Sequence, residues 1–153
     1  MWIECKEARM DNWMELTFPS LSINEGFARS ATAAFAALLD PTIDELSDLR
    51  TAVSEAVTNA IIHAYGNDRS AMITLRCEAE GRKLKVTVKD TGCGIADIEL
   101  ARRPFYTSKP ELERSGMGFA VMEAFMDSLE IESGPGEGTA VIMEKELGRA
   151  RGD

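Results

Sequence analysis

The chain has 153 residues, which is enough for one domain with a real core and too few for two. Seventeen Lys and Arg face twenty-six Asp and Glu, a net charge of −9, so unaided binding to nucleic acid or to an anionic membrane is not expected. Three scattered cysteines, no C-x-x-C pair and a single histidine, His63, weigh against a structural zinc site, a disulfide framework and a Ser-His-Asp hydrolase.

No apolar run is long enough to span a bilayer and no leader segment is evident, so a reduced, cytoplasmic domain is expected. Residues 1–12 lack a clear period and read as a poorly ordered extension, 13–147 as the domain, and 148–153 as a tail. Met14, Leu16 and Phe18 alternate with polar residues, which predicts a strand ending at Pro19. Ser22 and Glu25 have the spacing of a capping box, and Phe27, Ala31, Ala34, Phe35 and Leu38 are expected to share the buried face of the helix that follows. Asp40-Pro41-Thr42 stops that helix and starts another, running to about Tyr65. The apolar stripe of this second helix is Ile43, Leu46, Leu49, Val53, Val57, Ala60, Ile61 and Ala64. Ile73, Leu75 and Cys77, then Leu84, Val86 and Val88, alternate with polar residues around Glu80-Gly81 and predict a hairpin. The stretch from Asp90 to Ser115 reads as an irregular, functional connection. A helix is expected from Gly118 to Met126, and a last hairpin from Leu129–Glu132 and Thr139–Lys145. The order β-α-α-β-β-loop-α-β-β predicts a two-layer α/β (α+β) sandwich on a mixed, mostly antiparallel sheet.

The chemistry-bearing residues lie in four groups. Glu55, Asn59 and His63 recur at i, i+4 and i+8 of the second helix and so share a face. A solvated helix face has the same pattern. However, Asn is a poor helix former, and the neighbours Ala52, Ala56 and Ala60 are small enough to leave room for a ligand. A carboxylate and an amide oxygen one turn apart suit Mg²⁺ and its waters. Asp90-Thr91-Gly92-Cys93-Gly94 follows a strand directly; it reads either as a turn or as an acceptor for the amino edge of a flat ligand that Gly92 and Gly94 let approach. Ser115-Gly116-Met117-Gly118 opens a helix, where free N–H groups favour an anion, and it matches neither a Rossmann nor a P-loop pattern. Just before it, Arg102, Arg103, Lys109 and Arg114 outnumber Glu111 and Glu113, and Thr107 and Ser108 add hydroxyls. That segment reads either as a lid over a polyphosphate or as a solvated charged loop. Gly138-Thr139 enters the last strand, either as a plain turn or with its hydroxyl directed at Asp90.

Taken together, Glu55-x-x-x-Asn59, Asp90-x-Gly92-x-Gly94, Gly116-x-Gly118 and Gly138-Thr139 resemble the N, G1, G2 and G3 boxes of the GHKL superfamily, whose ATP-binding domain is the Bergerat fold. Residues 54–63 (SEAVTNAIIH) and 109–118 (KPELERSGMG) more narrowly resemble the anti-sigma F factors of spore-forming bacteria, as do Asn24–Arg29 and Leu39–Thr42. The resemblance runs from about Met14 to Leu147. It implies that Asp90 binds the adenine amino group with Thr139 nearby, that Asn59 holds Mg²⁺, and that Glu55 is the general base. It further implies that Ser115, Gly116, Met117 and Gly118 lie along the phosphates of ATP, with Thr107, Ser108, Lys109 and Arg114 in the lid. Arg29 matches a partner-contacting position. The implied activity is that of a homodimeric protein-serine kinase that binds sigma F and phosphorylates an anti-anti-sigma factor. Related readings are a kinase acting on a stress-response sigma factor and a nucleotide-dependent binding module without kinase activity. A gyrase- or chaperone-type machine needs a further domain, and no helix with an acceptor histidine precedes the first box.

Overall fold

The computed structural model describes residues 11–64, 70–103 and 118–148. The elements are β1 (Asn12–Pro19), α1 (Ile23–Ala36) with a 3₁₀ turn (Ala37–Leu39), α2 (Ile43–Asn59), β2 (Met72–Glu80), β3 (Lys83–Asp90), α3 (Ile98–Arg102), α4 (Gly118–Phe125), β4 (Ser128–Ser133) and β5 (Thr139–Glu146). One five-stranded sheet has the order β1-β2-β3-β5-β4. Every pairing in it is antiparallel, so the mixed sheet expected from sequence is antiparallel throughout.

Alternation fixes which side of the sheet is dry. Ile73, Leu75 and Cys77 of β2, Leu84, Val86 and Val88 of β3, and Val141 and Met143 of β5 are buried on one face, joined by Phe18 of β1. The helices cover that face, and Leu49, Val53 and Val57 of α2 and Met122 of α4 complete the core. The other face carries ion pairs such as Arg76 with Glu15 (3.2 Å) and Lys83 with Glu144 (3.0 Å). Burial pushes the Cys77 thiol up to about 11, against the single weak contact with the Thr32 hydroxyl, so Cys77 is an inert core residue.

The helices depart from the sequence reading in four places. First, the buried face of α1 is Ala28, Thr32 and Phe35, while Phe27 and Leu38 are exposed. Thr32 tolerates burial because its hydroxyl bonds the Ala28 carbonyl at 2.9 Å. Second, the Ser22 capping box does not form. Ser22 already has helical dihedrals (φ −55°, ψ −33°), and the Glu25 carboxylate turns to Arg29 instead. The capping box is at α2, where Thr42 Oγ1 accepts from Glu45 N and Glu45 accepts from Thr42 N. Third, Ile43 is exposed at the start of α2, and the helix changes to π geometry at Ala60–Ala64, directly after Asn59. Fourth, the irregular stretch after Asp90 contains α3, started by Asp97, whose carboxylate accepts from Leu100 N.

Candidate functional site

The site begins where the core strands run out. Asp90 continues the inward alternation of β3 and is therefore placed on the dry face, 6% exposed. Its Oδ1 accepts from Gly92 N (3.0 Å) and Thr139 N (3.2 Å). Burial raises its pKa above the ordinary aspartate value, and the N–H groups of Gly92 and Thr139 partly oppose that rise. Both bonds fall on Oδ1; among the described residues Oδ2 has none.

Two glycines let the loops around Asp90 close together. Gly94 has φ +76°, and a Cβ there would collide with the Gly134 carbonyl. Gly138 has φ +77°, and its Cβ would collide with the Asp90 carbonyl. The Gly136 N–H donates to the Cys93 carbonyl at 2.7 Å and ties the same two loops. The close approach to the turn between β4 and β5 thus requires Gly94, in keeping with the turn reading of this segment. Ser133, which the sequence reading passed over, links these pieces: its hydroxyl meets Ile95 N (2.7 Å), the Gly138 carbonyl (2.8 Å) and the Thr139 hydroxyl (2.8 Å). The available signal was its place as the third inward position of β4, after Leu129 and Ile131.

The second wall comes from α2. Glu55 and Asn59 are both half-buried. The Asn59 amide lies against Gly118 at the start of α4: a Cβ on Gly118 would stand 2.9 Å from Nδ2 and 3.0 Å from Oδ1. Helix α2 thereby meets α4 through its polar face. Ala52, Ala56 and Ala60 are buried in the core instead of bordering open space, which corrects their reading as room for a ligand. His63 stands in the π turn, and its carbonyl accepts from the exposed Cys93 thiol at 3.3 Å. Arg29 stands apart, on the seam between α1 and α2, with Nη1 bonding Glu25 (3.0 Å) and Ser54 (3.3 Å). Thr107, Ser108, Lys109, Arg114, Ser115, Gly116 and Met117 lie outside the described residues.

The structure therefore brings together Asp90, Gly92, Gly94 and Thr139 on one side and Asn59 and Gly118 on the other. Chemically, the first group offers a carboxylate acceptor at the end of a strand, and the second offers an amide oxygen beside a helix start.

Known proteins resemble this chain in sequence and in fold. Residues 18–145 match the family model described as a histidine kinase-like ATPase domain. An anti-sigma F factor of Clostridium perfringens is 57% identical over 138 residues, covering 90% of this chain and 99% of that protein. One from Oceanobacillus iheyensis is 52% identical over 142 residues, covering 93% of this chain and 97% of that protein. Among solved structures, the RsbU and RsbW domains of a Mycobacterium tuberculosis protein superpose with a TM-score of 0.64 at 19% identity, over 89% of this chain and 32% of that one. A blue-light activated histidine kinase of Erythrobacter litoralis gives 0.58 at 22% identity, over 87% of this chain and 43% of that one. These two structures share the fold. By its family model and by identity over nine-tenths of its length, the chain belongs to the histidine kinase-like ATPase family and, within it, to the anti-sigma F factors.

Proposed function

We propose that this anti-sigma factor binds sigma F in the cytoplasm and uses Mg²⁺-ATP to phosphorylate a serine of an anti-anti-sigma factor. The observation that carries the reading is the contact of Asn59 with Gly118, which sets the end of α2, the N-box helix, against the start of α4, the G2-box helix. The residues fit such a ligand. Asp90 Oδ2, which accepts no hydrogen bond among the described residues, is suited to an amino group. The Asn59 amide oxygen is a hard donor suited to Mg²⁺, with no hydrogen bond to the described residues competing for it.

When bound, Mg²⁺-ATP supplies the phosphoryl group and neutralises its charge. The chain supplies position. Asp90 and Thr139 orient the base, with the backbone at Gly92 and Gly94 alongside. Asn59 would hold the metal, and Ser115, Gly116, Met117 and Gly118 would bind the phosphates at the start of α4. Thr107, Ser108, Lys109 and Arg114, outside the described residues, would complete the phosphate-binding set. Glu55, one turn before Asn59 on α2, takes the proton of the attacking serine hydroxyl. Arg29 and the neighbouring exposed Phe27 contact the partner. β1 is an edge strand paired only with β2 among the described residues, and a second copy meets the chain along it to form a homodimer.

The test is incubation of γ-labelled ATP with the chain and an anti-anti-sigma protein. Label on a serine of that protein supports the reading. Label only in free phosphate refutes it and leaves an ATP-hydrolysing domain; label that stays on ATP refutes it and leaves a nucleotide-dependent binding module.

A further inference from the structure

Asp90, Thr139 and Ser133 form one row across three strands. Asp90 pairs with Thr139 across β3 and β5, and Thr139 pairs with Ser133 across β5 and β4. Directly opposed residues of antiparallel strands project to the same face, so three polar side chains stand side by side at the end of the dry face.

The protons in this row are determined by chemistry. The Ile95 N–H can only donate, so the Ser133 oxygen accepts it at 2.7 Å. The Gly138 carbonyl can only accept, so the one Ser133 proton goes there at 2.8 Å. The 2.8 Å contact between the Ser133 and Thr139 hydroxyls is left with a single solution, in which Thr139 donates and Ser133 accepts. Thr139 has then spent its only proton and offers its surroundings lone pairs alone. Beside it, the ionised Asp90 carboxylate likewise offers only lone pairs from Oδ2.

We propose that Ser133 is a specificity-determining, positioning residue: by fixing the Thr139 hydroxyl as an acceptor, it makes the base-reading edge of the site an all-acceptor surface that selects a 6-amino purine over a 6-oxo purine. The inference rests on the reading of Asp90 and Thr139 as the base-binding pair. Without the Ser133 oxygen, the Thr139 proton is free to turn toward a carbonyl, and discrimination against that carbonyl weakens.

The experiment is calorimetric titration of the full chain with ATP and with inosine triphosphate, whose base carries a carbonyl and an N1–H where adenine carries an amino group and a bare N1. Ser133→Ala is expected to weaken ATP binding and to lower the ATP-to-inosine-triphosphate affinity ratio by about tenfold, the change produced by one hydrogen bond reversed in sense. Ser133→Thr keeps the hydroxyl and is expected to keep the wild-type ratio, which a merely structural role for Ser133 does not require. If Ser133→Ala fails to fold, Ser133→Cys, with its weaker acceptor, must move the ratio in the same direction. A ratio within twofold of wild type in the folded variant overturns the proposal. Asp90→Asn separates the two levels. If it leaves ATP affinity untouched, the base is read elsewhere and the underlying reading fails. If it weakens ATP while Ser133→Ala keeps the ratio, this inference alone fails.

Discussion

Replacing Gly118 by alanine separates folding from ligand binding. The new Cβ would stand 2.9 Å from Asn59 Nδ2, 3.0 Å from Oδ1 and 3.3 Å from Cγ. Ordinary contact separation is about 3.5 Å or more, so the amide must swing away by about 0.5 Å. Gly118 is not among the residues with positive φ, and it begins a helix, so the backbone accepts alanine. Alanine in a helix is worth up to about 1 kcal/mol over glycine, which offsets the cost of moving the end of one flexible side chain. The melting temperature is therefore expected to hold within about 4 °C. Binding is not expected to hold. Misplacing a positioning group by ~1 Å costs roughly 10²-fold, and half that displacement predicts roughly a tenfold loss of Mg²⁺-ATP affinity or transfer rate. Calorimetry and label transfer read these two quantities. Adding Asn59→Ala distinguishes a clash with the side chain from a clash with the ligand, because the double variant should then be no worse than Asn59→Ala alone. Wild-type affinity and rate in Gly118→Ala would refute the placement of Asn59 in the site.

Asp90→Asn is expected to cost about 1–3 kcal/mol of ATP binding, read by calorimetry, because an amide N–H₂ then faces the adenine amino group. The same variant should melt at or above the wild-type temperature without nucleotide. A raised carboxyl pKa means that the folded state holds its proton longer than the unfolded one, so stability falls as pH rises from 3.8 through the folded value, and the neutral amide removes that loss. A lower melting temperature in the nucleotide-free variant would contradict this. Glu45 behaves oppositely. Burial works against its charge, but the N–H groups of Thr42 and Gly148 and the Thr42 hydroxyl outweigh it and lower the pKa from 4.5. Its contribution is full above about that pH and fades as pH falls through the folded value; Glu45→Gln is expected to flatten this acid limb in a melting series, and Thr42→Ala to cost about 0.5–2 kcal/mol. The edge position of β1 predicts a dimer mass in light scattering at micromolar concentration, and a monomer mass with and without ATP would contradict it.

The strands were legible in the sequence because each has one wet and one dry face, and a two-residue period has little competition. The same alternation carried Asp90 inward, which is why a strand-end aspartate could be read as a site residue. The helices were harder. Large apolar residues drew the face of α1 toward Phe27 and Leu38, whereas its buried row runs through Ala28 and Thr32, residues that pack closely because they are small or satisfy their own polar group. Ser22 and Glu25 had the letters of a capping box, but letters do not fix the dihedral of the capping residue, and Arg29 offered the Glu25 carboxylate a charged partner. Asp97 began a helix too short to show a period. The inward place of Ser133 on β4 is legible, but its bond to Ile95 N joins segments far apart in sequence, which no local pattern contains. Asp90 and Thr139 lie at strand ends and Gly118 at a helix start, positions that short-range signals mark well.

Phosphoryl transfer with Glu55 as base is open to a single-turnover reaction. Wild type and Glu55→Gln are each saturated with Mg²⁺-ATP and mixed with the anti-anti-sigma protein, and labelled phosphoserine is followed in time. The expected result is unchanged ATP affinity and sigma binding with transfer slowed about 10²–10⁴-fold. Transfer at the wild-type rate in Glu55→Gln would contradict the account.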